Sequence, residues 1–124
     1  MENKKSKVVV VMPAYNAAQT LKQTLDAIPK GSCDEVLLVD DNSSDDTVQV
    51  AKELGLKVIK HDKNMGYGAN QKTCYKTALE MGADIVVMVH PDYQYDPRLV
   101  PFLAGLIEQD VCDVMFGNRI RTRN

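Results

Sequence analysis

Val8-Val9-Val10-Val11-Met12, closed by Pro13-Ala14-Tyr15-Asn16, is the stretch on which the fold turns. A run so short and unbroken, β-branched and without polar alternation, reads as a strand buried on both faces, as in parallel sheets. Beyond it Leu21, Leu25 and Ile28 recur at helical spacing, and a second unbroken run follows at Val36–Val39. Strand, helix and strand in that order make a βαβ unit, whose two strands lie parallel with a right-handed crossover.

Outward from that unit the alternation continues. A third buried run is Ile85–Val89, and weaker strand candidates are Lys57–His61 and Val114–Gly117. Between them Val48, Ala51 and Leu54 form a second helical stripe, Cys74, Ala78 and Met81 a third, and Leu99, Leu103, Leu106 and Ile107 a fourth. Boundary residues agree. Asn16 suits a helix cap before Ala17, and Ser44 or Asp45 one before Asp46. Gly31, Gly55 and Gly82 follow helical stripes, where a left-handed cap is wanted, and Pro97 suits the first turn of the fourth helix. The expectation is an α/β fold: three layers, α/β/α, with a mostly parallel sheet. Residues 1–6 read as a disordered tail and 7–124 as one domain.

Composition sets bounds on function. The 124 residues are 44% hydrophobic and 26% charged, with a net charge of −2, which argues against general nucleic-acid binding. The one basic cluster is Arg119, Arg121 and Arg123. Cys33, Cys74 and Cys112 have no C-x-x-C spacing and read as buried, reduced thiols. No apolar run reaches the roughly 20 residues that span a bilayer, and Met1–Lys7 lacks a secretory apolar core. A cytoplasmic location is expected.

In an open α/β sheet ligands bind beyond the carboxyl ends of the strands. Four polar loops follow strands here: Pro13–Asn16, Asp40–Ser44, Asp62–Asn70 and His90–Gln94. The first contains no glycine, so it is no dinucleotide fingerprint, and no P-loop lysine motif occurs. Pro13 and Tyr15 offer a ledge and a ring edge to a base or ribose, or simply a turn into a helix. Asp40 and Asp41 point to opposite sides of an extended backbone, so one is expected to serve a ligand and the other a turn. Asn64-Met65-Gly66-Tyr67-Gly68-Ala69-Asn70 opens a helix and suits a diphosphate, although a turn of positive φ explains its glycines equally well. Asp92 and Gln94 offer oxygen ligands and His90 an imidazole. Mg2+ or Mn2+ bridging a nucleotide diphosphate needs one or two protein oxygens, and a polar turn before a helix is the plain alternative.

Taken in order, these loops resemble family 2 glycosyltransferases. V-V-V-V-M-P-A-Y-N resembles the family's opening strand and loop, V-D-D-N-S-S-D-D-T its second-strand signature, and N-M-G-Y-G-A-N its N-x-G-x-G-x-A-type loop. H-P-D-Y-Q-Y-D-P stands where the family has D-x-D-x-Q, in the manner of dolichyl- or polyprenyl-phosphate sugar transferases. The final G-N-R resembles the G-S-R that closes their nucleotide-binding half. The resemblance implies the GT-A (nucleotide-diphospho-sugar transferase) fold, truncated at Asn124, and a UDP- or GDP-sugar donor. By the same resemblance Pro13, Ala14, Tyr15 and Asn16 line the base and ribose pocket, Val39 and Asp41 contact the base, and Gly68 belongs to the donor-binding loop. Asp92 binds the divalent metal, Gln94 and His90 contribute, and Arg119 lies near the diphosphate. The implied reaction is metal-dependent, inverting transfer to a lipid, polyprenyl phosphate or glycan, as in cell-envelope polysaccharide or glycolipid synthesis.

Two positions depart from that pattern. His90 replaces the leading aspartate of D-x-D, and Ala17 stands where an acidic residue often follows Y-N. No residue matches the family's catalytic base, which is expected further along with the acceptor site and any membrane-attaching segment. The sequence therefore leads to donor binding without transfer by this chain, with a non-catalytic α/β interaction module bearing a degenerate donor site as the alternative.

Overall fold

The computed structural model describes residues 6–91 and 97–108. The expected strand at 114–117, Cys112, Asp92, Gln94, Arg119 and nearly all of the expected N-terminal tail lie outside them. The elements run β1 (Val8–Ala14), α1 (Ala18–Ala27), β2 (Glu35–Asp40), α2 (Thr47–Glu53), β3 (Lys57–Lys60), α3 (Tyr67–Glu80), β4 (Ile85–Met88), a 3-10 turn (Pro97–Leu99) and α4 (Val100–Glu108). Pro97 thus opens the 3-10 turn that leads into the fourth helix.

The sheet has the order β3-β2-β1-β4, and every pair is parallel. β1 lies at the centre with no exposed residue, as its valines require. Alternate side chains leave it for opposite faces. Val8, Val10, Met12 and Ala14 pack with Leu21 of α1, Ala51 of α2 and Val100 and Ala104 of α4. Val9 and Val11 pack with Leu37, Val39 and the α3 residues Cys74 and Ala78. This is the three-layer α/β/α arrangement expected. The helices change face when the chain reverses its direction across the sheet, from β3 back to β4, which keeps the crossovers of one hand. The reversal also places a topological switch point between β1 and β4.

Local signals fared unevenly. Gly31, Gly55 and Gly82 all take the expected left-handed conformation (φ 79°, 80° and 84°); Gly55 and Gly82 do so just after α2 and α3, and Gly31 in the turn beyond α1 that Ser32 N–H closes to Pro29 O. At the amino edge, Asp34 and Asp84 accept from the amides of Val8 and Lys7 and fix where β1 begins. At the charged edge strand, Lys57 and Lys60 of β3 are exposed, which disfavours pairing with another chain.

Candidate active site

The first loop does not cap its own helix. Asn16, expected to cap α1, sits at φ 52° with its side chain turned away, and its Oδ1 accepts from Ser44 N–H at 2.9 Å. The amino end of α1 is satisfied from the second loop instead. Asn16 N–H donates to Ser43 Oγ (2.8 Å), Ala17 N–H to Thr47 Oγ1 (2.9 Å) and Ala18 N–H to Asp45 Oδ2 (3.2 Å). Asp45 also accepts from Thr47 N–H at 3.0 Å; α2 begins at Thr47, so the cap position falls on Asp46 and not on Ser44 or Asp45, and Asp45 reaches the first helical amide from one residue earlier. With the amides of Asn16, of the cap residue Ala17 and of the first helical residue Ala18 engaged, the entry to α1 is a locked corner between two loops.

The acidic pair divides its work between two loops. Asp40 is fully buried and accepts from Ser43 N–H and Oγ–H, closing the turn. Asp41, 4% exposed, reaches the third loop: Oδ1 accepts from Met65 N–H at 2.8 Å and Oδ2 from Gly66 N–H at 2.9 Å. His61 Nδ1 lies 3.0 Å from the same carboxylate. Burial pushes the Asp41 carboxyl up, yet these amides and the ring outweigh it and hold it below the usual carboxylate range. The amides of Met65 and Gly66, expected to suit a diphosphate, are therefore taken by Asp41. Gly66 (φ 93°) meets the need for positive φ at the start of α3. Gly68, the second residue of α3, has no such φ, and a Cβ there meets nothing within 4 Å.

The third and fourth loops meet through aromatic rings. Tyr67 and His90 stack with centroids 5.6 Å apart and planes 24° off parallel, and the Tyr67 hydroxyl lies 2.5 Å from His90 Nε2. Gln71 Nε2 donates to that hydroxyl at 2.9 Å. The fourth loop returns to α1, where the Thr20 and Thr24 hydroxyls donate to Pro91 O at 2.6 and 3.0 Å. The circuit closes: first loop to second, second to third, third to fourth, and fourth to the helix after the first.

Against the sequence expectations, Tyr15, Asn16, Asp41, Gly68 and His90 share this rim. Tyr15 is 55% exposed there. Pro13 and Ala14 are the buried end of β1, opposite Val39 and Asp40, and form the floor rather than a ledge. Val39 is wholly buried and its carbonyl accepts from Asn70 Nδ2 at 2.9 Å, so its side chain presents no surface to the rim. His61, Tyr67, Thr20 and Thr24 were not singled out by sequence. Only His61 carried a signal, as a histidine at the carboxyl end of a strand.

No group of three or more His, Cys, Asp or Glu suited to a metal occurs among the described residues. A cation that bridges a diphosphate does not need one, since phosphate and water complete its shell. Of the expected donors only His90, held by Tyr67, lies among the described residues; a single imidazole suits a cation shared with a nucleotide and is no protein-only cage.

Comparison with known proteins yields a consistent picture. A family model described as glycosyl transferase family 2 matches residues 9–124. UDP-N-acetylglucosamine–dolichyl-phosphate N-acetylglucosaminyltransferase of Methanococcus voltae is 30% identical over 131 residues, covering 92% of this chain and 52% of that protein. Dolichol-phosphate mannosyltransferase of Pyrococcus furiosus is 31% identical over 120 residues, covering 91% and 33%. Among solved structures, S. aureus TarS 1–349 in complex with UDP-GlcNAc matches with a TM-score of 0.65 at 26% identity, over 83% of this chain and 31% of that one. Glucosyl-3-phosphoglycerate synthase from Mycobacterium tuberculosis, in complex with Mn2+, UDP and glucosyl-3-phosphoglycerate, matches with a TM-score of 0.67 at 27% identity, over 82% and 39%. The chain spans about half the length, or less, of the curated relatives named here.

Proposed function

Because this chain belongs to glycosyl transferase family 2 and has the GT-A fold, we propose that its loop rim binds the nucleoside diphosphate of a UDP- or GDP-sugar. The observation that carries the reading is the closed hydrogen-bonded circuit of four loops at the carboxyl edge of a parallel sheet, beside its switch point. Such a rim is preorganised, so ordering it costs little when a ligand arrives.

In this reading the exposed Tyr15 ring packs on the base or ribose, and Gly68 lets the diphosphate approach the start of α3, whose dipole favours an anion. Pro13, Ala14 and Val39 support that surface from below. Asp41 holds the third loop in place, and any contact it makes to the base comes from a carboxylate already bound to two amides. Asp92, with Gln94 and His90, holds Mg2+ or Mn2+, and Arg119 lies near the diphosphate. The cation supplies charge neutralisation for the departing nucleoside diphosphate. The relatives' names, both dolichyl-phosphate transferases, support a lipid-linked acceptor; in this reading the acceptor is a lipid, a polyprenyl phosphate or a glycan, and transfer is inverting, at the cytoplasmic face of a membrane. No helix among the described residues is long and apolar enough to cross one. Residues 7–124 then form the donor-binding part, with transfer requiring a base and acceptor site from beyond it.

Calorimetric titration of UDP, GDP and their sugars, with and without Mn2+, tests this. Metal-dependent binding of one nucleotide series is expected. Absence of binding at millimolar nucleotide overturns it. One observation favours a second reading, a non-catalytic module with a degenerate donor site: His90 stands at the metal position and is engaged with Tyr67. Asp92→Asn separates the two, because only a donor site loses metal-dependent binding.

A further inference from the structure

The three residues that follow β4 are each held by a different element. Val89 N–H donates to Val11 O of β1 at 2.9 Å. His90 is held by Tyr67 of α3, through the stacked rings and the hydroxyl. The Pro91 carbonyl turns to α1, where the Thr20 and Thr24 hydroxyls lie 2.6 and 3.0 Å from its oxygen. α1 packs on one face of the sheet and α3 on the other. Two adjacent residues, 90 and 91, are thus gripped from opposite faces.

Residues four apart lie on one side of a helix, so Thr20 and Thr24 form a single polar strip on α1. Alanine would favour the helix more, and a buried hydroxyl costs free energy unless it is bonded. The strip has one shared target, and that is the Pro91 oxygen. A carbonyl only accepts, and its two lone pairs have room for both hydroxyls. The nearest other acceptor printed by the geometry for Thr20 is Ala17 O, far longer at 3.5 Å, so Thr20 is the closer link. Thr24 is wholly buried and stands 3.0 Å from Thr20 O as well, the back-bond of a helical threonine. A peptide group is planar, so fixing the Pro91 oxygen fixes the plane on which the chain leaves for Asp92, the expected metal ligand. At its other end α1 is fastened to the second loop through Ala17 and Ala18, beside Tyr15. One rigid helix therefore spans the two ends of the rim.

We propose that Thr20 and Thr24 are positioning residues for the cation: by fixing the Pro91 carbonyl they hold the fourth loop against α1, where a divalent metal can join it to a nucleotide bound at the first. This rests on the donor-site reading. Neither threonine touches the ligand, and both act through Pro91. Their removal frees one side of the loop while Tyr67 still holds the other through His90. The loss should therefore fall on the metal's share of binding rather than on the nucleotide's own.

The test is the affinity of the chain for UDP and GDP, measured by calorimetry with and without Mn2+. Thr20→Val keeps the shape and removes the closer hydroxyl, at a half-buried position that the fold should tolerate. The ratio of affinities with and without Mn2+ should fall on the order of tenfold, as when a partner behind a metal ligand is lost. Thr24→Val should lower the same ratio, and Thr20→Ser should restore it. A merely structural role would weaken both affinities alike. An unchanged ratio in Thr20→Val therefore overturns the proposal, as does a failure of Thr20→Ser to recover it. Absence of nucleotide binding by the wild type overturns the donor-site reading instead. The proposal is then judged with Mn2+ alone. Paramagnetic broadening of the His90 ring signals should be strong in wild type and weak in Thr20→Val, and equal broadening, or none, overturns it.

Discussion

Thr47 Oγ1 accepts the amide hydrogen of Ala17 at 2.9 Å, joining two residues 30 positions apart at the point where each begins a helix. Thr47 is fully buried and also donates its hydroxyl to Asp45. Thr47→Val keeps the shape and leaves the Ala17 amide buried without an acceptor. A loss of about 1–2 kcal/mol is expected in urea unfolding, and Thr47→Ser should restore most of it. A variant as stable as wild type would show that water replaces the cap.

Asp41 gives a pH prediction with a definite sign. Its carboxyl is lowered in the folded state from an ordinary value of 3.8, despite the opposing push of burial. A lowered carboxylate contributes stability that is fully present above that ordinary value and is lost as pH falls through the folded one. Asp41→Asn removes the contribution at every pH and sets an amide against two N–H donors, at a cost of about 3 kcal/mol. The stability gap between wild type and variant should thus shrink in acid below 3.8. Asp45, also lowered after the opposing push of burial, is present in both proteins and cancels. A gap that stays constant into strong acid would mean the carboxylate's charge is not what holds Met65 and Gly66.

What the sequence disclosed and what it hid follow one physical division. The strands were legible because Val8–Met12 and Ile85–Val89 state their burial in composition alone. The loop positions followed, since every loop at this edge comes after a strand. The partners within the rim were not legible. Asn16 has the chemistry of a cap, and local chemistry alone assigns it to α1. The acceptors that reach α1, Ser43, Asp45 and Thr47, come from across β1 and β2, a distance in sequence that no local pattern encodes. Asp41 posed the same difficulty: alternation showed that it differs from Asp40, but not that its oxygens close on Met65 and Gly66.

Cys74 is wholly buried against β1 and β2, and burial pushes its thiol up to about 12. The thiolate is the reactive form, so this thiol should be inert near neutral pH. Cys33 is half-buried and is raised as well, by burial and by Asp34 beside it, but keeps contact with solvent. Iodoacetamide at about pH 8, where an ordinary thiol is substantially ionised, should label Cys33 before Cys74. Cys74 should react only as fast as urea opens the fold. Peptide mass spectrometry reads both sites, and equal labelling in the native state would contradict the burial of α3 against the sheet.

His90 offers the sharpest test of the proposed metal position. A resident imidazole suits Mn2+ better than Mg2+, which strongly prefers oxygen ligands and an all-oxygen octahedron. In this structure the ring is also held by Tyr67, stacked and hydrogen-bonded, so a cation at this place competes with a neighbour. The wild-type chain should therefore show nucleotide binding that Mn2+ supports better than Mg2+. His90→Asp restores a carboxylate and removes the stacked ring. It should bring Mg2+-supported binding up to the Mn2+ level, a gain on the order of tenfold, measured by calorimetry with each metal in turn. Tyr67→Phe keeps the stack and removes the hydroxyl, and should move metal preference in the same direction by less. If His90→Asp leaves both metals unchanged, the cation is held without residue 90, and the imidazole belongs to the loop circuit alone.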